Sequence, residues 1–210
     1  PTSADTGTLK FDQTTVNLDV RGSLDFGGSE PLSLAVGGEY RRENYAIEAG
    51  DPVSYSYGRT NNPAIVILNQ NGGFAAPGMQ GFPGFSPNEE VDDGRHNYAV
   101  YADAETRFGG KFLVGGALRF EDYSDFGNTT TGKLSLRYDF TDTFALRGTV
   151  STGFRAPGVQ QLFYSQRSTN IDPATGLLAD TLTARQNSAV TRAFGIDPLK
   201  EEESKSGSIG

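Results

Sequence analysis

The sequence predicts an all-β fold: an antiparallel sheet of six to seven long strands, read as a segment of a transmembrane β-barrel with long extracellular loops. Three observations predict it. Apolar and charged residues alternate with period 2 and keep one parity from strand to strand. Aromatic residues gather toward both ends of the apolar set. Short turns alternate with long connections. A soluble β-sandwich is the competing architecture, because it also needs sheets with one apolar face.

The strands fall at 16–24, 32–42, 97–108, 111–122, 131–140 and 143–154, and another begins near 204 and continues over 204–210. The first carries Val16, Leu18, Val20 and Leu24 at even positions, the second Leu32, Leu34, Val36 and Tyr40. The third has Tyr98, Val100, Ala102, Ala104 and Phe108, the fourth Phe112, Val114, Leu118 and Phe120. The fifth has Leu134, Leu136, Tyr138 and Phe140, the sixth Phe144, Leu146, Val150 and Phe154. Odd positions hold 14 charged residues: Arg21, Glu39, Arg41, Asp103, Glu105, Arg107, Arg119, Glu121, Arg137 and Arg147, with Asp19, Lys111, Lys133 and Asp139. Only Arg42 and Asp122, each at a strand end, break the pattern on the even side. One face of the sheet therefore meets an apolar medium and the other a polar one.

The barrel reading is favoured by strand length, since a tilted membrane strand needs about 9–11 residues and globular strands average about 5–6. Two aromatic girdles bound the aliphatic band. Phe108, Phe112, Tyr138, Phe140 and Phe144 lie near one set of turns, and Tyr40, Tyr98, Phe120 and Phe154 toward the opposite ends. The turns near Gly27-Gly28, Gly109-Gly110 and Thr141-Asp142 are short, whereas 43–96 and 155–203 are long. Such loops are unusual inside a compact soluble domain.

Composition excludes other classes. The 210 residues include no Cys, no Trp, one Met and one His. Disulfide frameworks, thiolate metal sites and a cysteine nucleophile are ruled out. A net charge of −8 argues against a broad nucleic-acid footprint. The longest apolar run, 64–68, is far short of the ~20 residues of a spanning helix, and mean hydropathy is −0.44. No Gly-x-Ser-x-Gly elbow or phosphate loop occurs, so no enzyme activity is expected. Asp122-x-x-Asp125-x-Gly127 and Asp92-Asp93-Gly94 do not fit a calcium loop, so no metal or cofactor is expected either. The chain opens at Pro1 with no basic or apolar leader and closes on strand-like alternation, as expected for a slice of a longer protein.

Residues Gly153-Phe154-Arg155-Ala156-Pro157, followed by Gln161-Leu162-Phe163, resemble a motif of TonB-dependent outer-membrane receptors. Gly116-Ala117-Leu118-Arg119-Phe120-Glu121-Asp122-Tyr123-Ser124-Asp125-Phe126-Gly127, Lys133-Leu134-Ser135-Leu136-Arg137-Tyr138 and Gly38-Glu39-Tyr40-Arg41-Arg42-Glu43 continue the resemblance. It covers most of 97–165 and, more weakly, 6–45. It implies a barrel of roughly 22 strands in the bacterial outer membrane, closed by a plug domain that this chain lacks. It further implies uptake of a scarce small-molecule nutrient (siderophore-iron, cobalamin or oligosaccharide), energised through the TonB complex by way of the plug. Outer-membrane lipid and lipopolysaccharide would be further partners, and nucleic acid none. A passive porin or an adhesin barrel is the alternative within the same architecture.

Within this frame the odd-face charges line a lumen, where cross-strand ion pairing is the commonest role for any single residue. Tyr55, Tyr57, Phe74, Phe82 and Phe85 in the first long loop are candidates to stack on a ligand. Arg155 is expected to fix the point where strand turns into loop, with Pro157 ending ladder donation.

Overall fold

Alternation along extended backbone builds one seven-stranded sheet in the computed structural model, which describes residues 3–25, 30–56, 68, 72, 78–79 and 82–210. Its strands are β1 (Thr8–Leu24), β2 (Leu32–Glu48), β3 (Val91–Phe108), β4 (Phe112–Tyr123), β5 (Gly127–Asp139), β6 (Ala145–Arg155) and β9 (Glu202–Ile209), neighbours in that order. Between β6 and β9 the chain forms a separate two-stranded sheet, β7 (Gln166–Ile171) with β8 (Leu178–Thr183). Among the described residues there are also three short helices: α1 (Pro52–Tyr55), α2 (Val159–Phe163) and α3 (Ala189–Ala193).

Register keeps the two faces distinct. Ala104 pairs with Gly116, Gly116 with Leu134, Leu134 with Val150, and Val150 with Gly207. Paired residues of antiparallel strands share a face, so the even-numbered rows in the middle of the sheet carry apolar or small side chains, whereas rungs such as Tyr98–Asp122–Asn128 and Thr152–Lys205 are polar. That face is open. Val16, Leu18, Val100, Leu118 and Val150 are 58–71% exposed together with Val20. A sandwich would bury this surface against a second sheet; the structure leaves it bare.

The turns are chemically specified. Gly109 and Gly110 both have positive φ, 56° and 68°, and the Lys111 N–H donates to the Phe108 carbonyl at 3.2 Å. Such a mirror-image turn matches the twist of the strands it joins. Between β5 and β6, Thr141 Oγ1 accepts the N–H groups of Phe144 at 3.0 Å and Thr143 at 3.3 Å.

Three strands run beyond the alternation at 16–24, 32–42 and 97–108: β1 starts at Thr8, β2 ends at Glu48 and β3 starts at Val91. The parity inverts in these extensions. Beyond Tyr40 the even positions Arg42, Asn44 and Glu48 are polar, while odd Tyr45 and Ile47 are buried, together with even Ala46 between them. The same strand thus meets a different medium on each side past that line, and a single-parity pattern stops there. The connection 155–203 is likewise not all loop, since it holds α2, β7, β8 and α3. Gln166–Ile171 is too polar to announce a strand.

The described residues form two compact units. One comprises 13–43, 95–157 and 200–210, mainly the sheet. The other comprises 1–12, 44–94 and 158–199, with a core of Tyr45, Ile47, Phe85, Val159 and Phe163. In the second unit buried Ser54 accepts at its carbonyl the N–H groups of Met79 at 3.0 Å and Gly84 at 2.9 Å. A Cβ on Gly84 would stand 1.9 Å from Ser54 Oγ, so only glycine fits there.

Gly37 of β2 serves the sheet similarly. A Cβ there would lie 2.5 Å from the Tyr101 ring and 2.8 Å from the Leu18 carbonyl. Gly37→Val is expected to destabilise the full-length protein by about 2–3 kcal/mol through overpacking. Gly148→Ala, whose Cβ meets nothing nearer than 3.9 Å, is expected to be close to neutral. Urea unfolding of both variants checks the contrast.

Candidate functional site

Period 2 brings residues two apart onto one face, and on the charged face this builds a ladder of alternating sign. Glu39 accepts Arg41 Nη2 at 2.8 Å and Arg119 Nη2 at 3.1 Å. Arg119 Nε donates to Glu121 Oε1 at 2.6 Å, and its guanidinium lies 5.6 Å over the Tyr101 ring. Glu121 Oε2 accepts Asn97 Nδ2 at 3.1 Å and the Tyr123 hydroxyl at 3.0 Å. Asn97 and Glu121 are buried, so charge-assisted bonds here are strong and their loss costly. Arg41 Nε is buried with no hydrogen-bond partner among the described residues.

Near the short turns a second cluster forms. Arg107 Nη1 donates to Asp139 Oδ2 at 2.6 Å and Arg137 Nε to Oδ1 at 2.8 Å. Of the odd-face charges, Glu39, Arg41, Arg107, Arg119, Glu121 and Arg137 thus join networks. Arg21, Asp103, Glu105 and Arg147 make no ion pair among the described residues.

The girdle residues Tyr98, Phe108, Phe112, Phe120, Tyr138, Phe140 and Phe144 are all exposed on the apolar side. Tyr40 is half-buried against Tyr98, with ring centroids 5.1 Å apart. Phe154 departs from the set: its ring meets Tyr123 edge-on at 5.9 Å and is half-buried.

The Gly153-Phe154-Arg155-Ala156-Pro157 corner is held by a residue that sequence reading missed. Arg155 points into the open, 76% exposed and 4.0 Å from Glu202, so it does not fix the strand end. Arg95 does. Its guanidinium, 7% exposed, donates from Nη1 to the Pro157 carbonyl and from Nε to Glu43 Oε2 at 2.6 Å. It also faces Asp125 at 3.4 Å and the Tyr123 ring at 5.4 Å. Nothing in Asp92-Asp93-Gly94-Arg95-His96 marks Arg95 as buried. His96, its neighbour, is exposed with its ring edge-on to Tyr98 at 5.7 Å.

The loop aromatics separate. Phe85 is 2% exposed in the core, so it is a packing residue and not a stacking surface for a ligand. Phe82 lies edge-on to it at 6.1 Å and is itself exposed. Tyr57 and Phe74 lie outside the described residues. Tyr55 lines a cavity of about 420 Å³ together with Ser86, Asn88, Glu89, Arg167 and Thr169.

Buried Glu89 organises that cavity, accepting the Ser86 N–H at 2.6 Å and the Arg167 N–H at 3.0 Å. Both carboxylate oxygens are therefore used. The exposed Arg167 guanidinium and the Tyr55 hydroxyl have no hydrogen-bond partner among the described residues. Burial, then the nearby Glu89 charge, raise the Tyr164 phenol above its ordinary range, so it stays protonated as it donates to Gln166 Oε1. No group of three or more His, Asp or Glu that could hold a metal occurs among the described residues.

The β7–β8 turn is tied by Asp172. The Ala174 N–H at 2.9 Å and Thr175 Oγ1 at 2.8 Å donate to its carboxylate and hold its pKa below the usual range. A depressed carboxylate stabilises above its unfolded pKa and loses that contribution as pH falls through the folded one. The protection factor of the Ala174 amide is therefore expected to fall as pH drops below the ordinary aspartate range, and to be low already at neutral pH in Asp172→Ala, the two proteins converging in acid.

Removing Arg95 leaves Glu43 and the Pro157 carbonyl without their partner. Arg95→Ala is expected to cost about 3–5 kcal/mol in chemical unfolding of the full-length protein, whereas Arg155→Ala is expected to change stability by less than about 1 kcal/mol.

Comparison with known proteins places this geometry. A family model described as TonB dependent receptor-like, beta-barrel matches residues 1–210. The siderophore receptor PirA from Acinetobacter baumannii is similar in structure, with a TM-score of 0.59 at 18% identity over 96% of this chain and 24% of that one. The ferric enterobactin receptor PfeA from Pseudomonas aeruginosa gives a TM-score of 0.51 at 15% identity over 76% of this chain and 20% of that one. The chain thus spans a fifth to a quarter of the length of these receptors, and the likeness is one of fold.

Proposed function

This chain belongs to the TonB-dependent receptor-like β-barrel family, and from that premise we infer that it forms part of the wall and loops of an outer-membrane receptor. The full-length protein captures a scarce nutrient outside the cell and imports it with energy delivered through TonB. The observation that carries this reading is the segregation across one sheet: exposed hydrocarbon on one face, networked charge on the other. Only a barrel with lipid outside and a polar lumen inside suits both faces at once. The long-connection ends of the strands are then extracellular and the short turns periplasmic.

Both similar structures are siderophore receptors, which favours a ferric chelate as the nutrient over cobalamin or an oligosaccharide. The cavity beside Tyr55 suits an anionic chelate, since it offers the Arg167 guanidinium, which has no ion pair among the described residues, and a phenol. Arg167→Ala is expected to weaken chelate binding about tenfold without altering sheet stability, read by fluorescence quenching on the full-length protein.

High-affinity uptake by cells is expected to stop when the inner-membrane proton gradient is dissipated. Undiminished uptake would favour a passive porin instead. Single spin-labelled cysteines at Val100 and Leu118 of the reconstituted full-length protein, with any cysteines beyond this Cys-free segment replaced by Ser, test the membrane face. Collision with oxygen over a water-soluble nickel chelate is expected at both, and the reverse would overturn the barrel reading.

A further inference from the structure

Two charges of opposite sign, Glu89 and Arg167, line the cavity beside Tyr55. Glu89 is 4% exposed. Its carboxylate accepts the Ser86 N–H at 2.6 Å and the Arg167 N–H at 3.0 Å. Two N–H groups fill two of the roughly four acceptor sites of a carboxylate, so it can receive a further donor. Arg167 supplies the positive end. Its backbone holds the Glu89 carboxylate, while its exposed guanidinium ends a three-methylene stem. The two charges are thus anchored at one residue and lie no more than about an arginine stem apart. Yet they form no ion pair with each other or with any other described residue. A purely anionic group entering the cavity gains from Arg167 but meets Glu89 as a like charge, and a purely cationic one meets the reverse. A group that carries both charges avoids either penalty.

We propose that this cavity binds a free α-amino-acid group, its ammonium at the Glu89 carboxylate and its carboxylate at the Arg167 guanidinium. A single carbon separates the two charges of such a group, which matches two protein charges anchored at one residue. Tyr55, Pro83 and Pro87 give the lining an apolar part against which the adjoining side chain can pack. The volume of about 420 Å³ lies toward the low end of small-molecule sites, about 300–1,000 Å³, and suits one end of a chelate. The proposal rests on the reading that this cavity takes the imported chelate, and it narrows that chelate to one with an uncoordinated amino-acid end.

Titration calorimetry of the full-length protein with three probes of like shape tests it. The probes are L-leucine, 4-methylpentanoate, which lacks the ammonium, and 3-methylbutylamine, which lacks the carboxylate. Wild type is expected to bind leucine about tenfold more tightly than either of the others. Arg167→Gln is expected to bind leucine and 3-methylbutylamine alike, and Arg167→Lys to keep the preference for leucine. Glu89→Gln is expected to bind leucine and 4-methylpentanoate alike. Because Glu89 also holds two backbone N–H groups, the wild-type comparison of the three probes decides the matter even where that variant fails to fold. Equal binding of all three by wild type, or binding of none, would overturn the proposal. The quenching measurement on Arg167→Ala separates the two possible failures. Weakened ferric-chelate binding in that variant, with no leucine preference in wild type, rejects the amino-acid end alone. Unchanged chelate binding rejects the cavity as the chelate site, and the amino-acid end with it.

Discussion

Backbone that borders hydrocarbon must find every hydrogen-bond partner within its own sheet, because no water is there to supply one. The rest of this chain follows from that constraint. Neighbouring strands pair over long registers, such as the twelve rungs from Asn97↔Tyr123 to Phe108↔Phe112. Once the ladder is fixed, side-chain direction is fixed with it, and period 2 sends apolar groups one way and ionised groups the other. A slip of one residue would turn the charged row of Glu39 and Arg41 toward hydrocarbon, so register is held by polarity as much as by hydrogen bonds.

The charged side then has its own requirement. Carboxylates and guanidiniums crowded on one face are tolerable only in alternating order. Glu39 between Arg41 and Arg119, and Arg119 between Glu39 and Glu121, meet it from two strands, β2 and β4, over the intervening β3. Buried Asn97 and the Tyr123 hydroxyl absorb the remaining oxygen of Glu121. The ladder is therefore a wall whose charges are mostly spoken for, and its net field on a passing solute is smaller than a count of charges suggests.

The parity of the sheet was legible because it repeats over many residues, and each strand reinforces the others. What lay beyond the aromatic line was less so. Tyr45 and Ile47 are core residues at odd positions, where the rest of β2 carries charge. A reader following one parity stops at Arg42. Phe85 looked like a loop aromatic because 71–87 is rich in Gly and Pro, yet it packs on residues from distant segments that no local pattern reveals. Arg155, inside a recognisable motif, drew the structural role that belongs to Arg95, a residue whose burial depends on Glu43, Asp125 and Pro157 meeting from three other places in the chain. Long-range convergence of single residues leaves no periodic trace.

The Arg95 contacts fall at telling positions. Glu43 is the last residue of its unit before 44–94, Arg95 the first after it, and Pro157 the last before 158–199. One guanidinium thus closes the base of both inserted segments. Loop closure costs little extra as length grows, about 0.6 kcal/mol for each doubling. With its base fastened, either segment can be lengthened, shortened or replaced while the wall keeps its register. The fold therefore fastens the chain ends of both segments within the sheet unit, at a single buried cation.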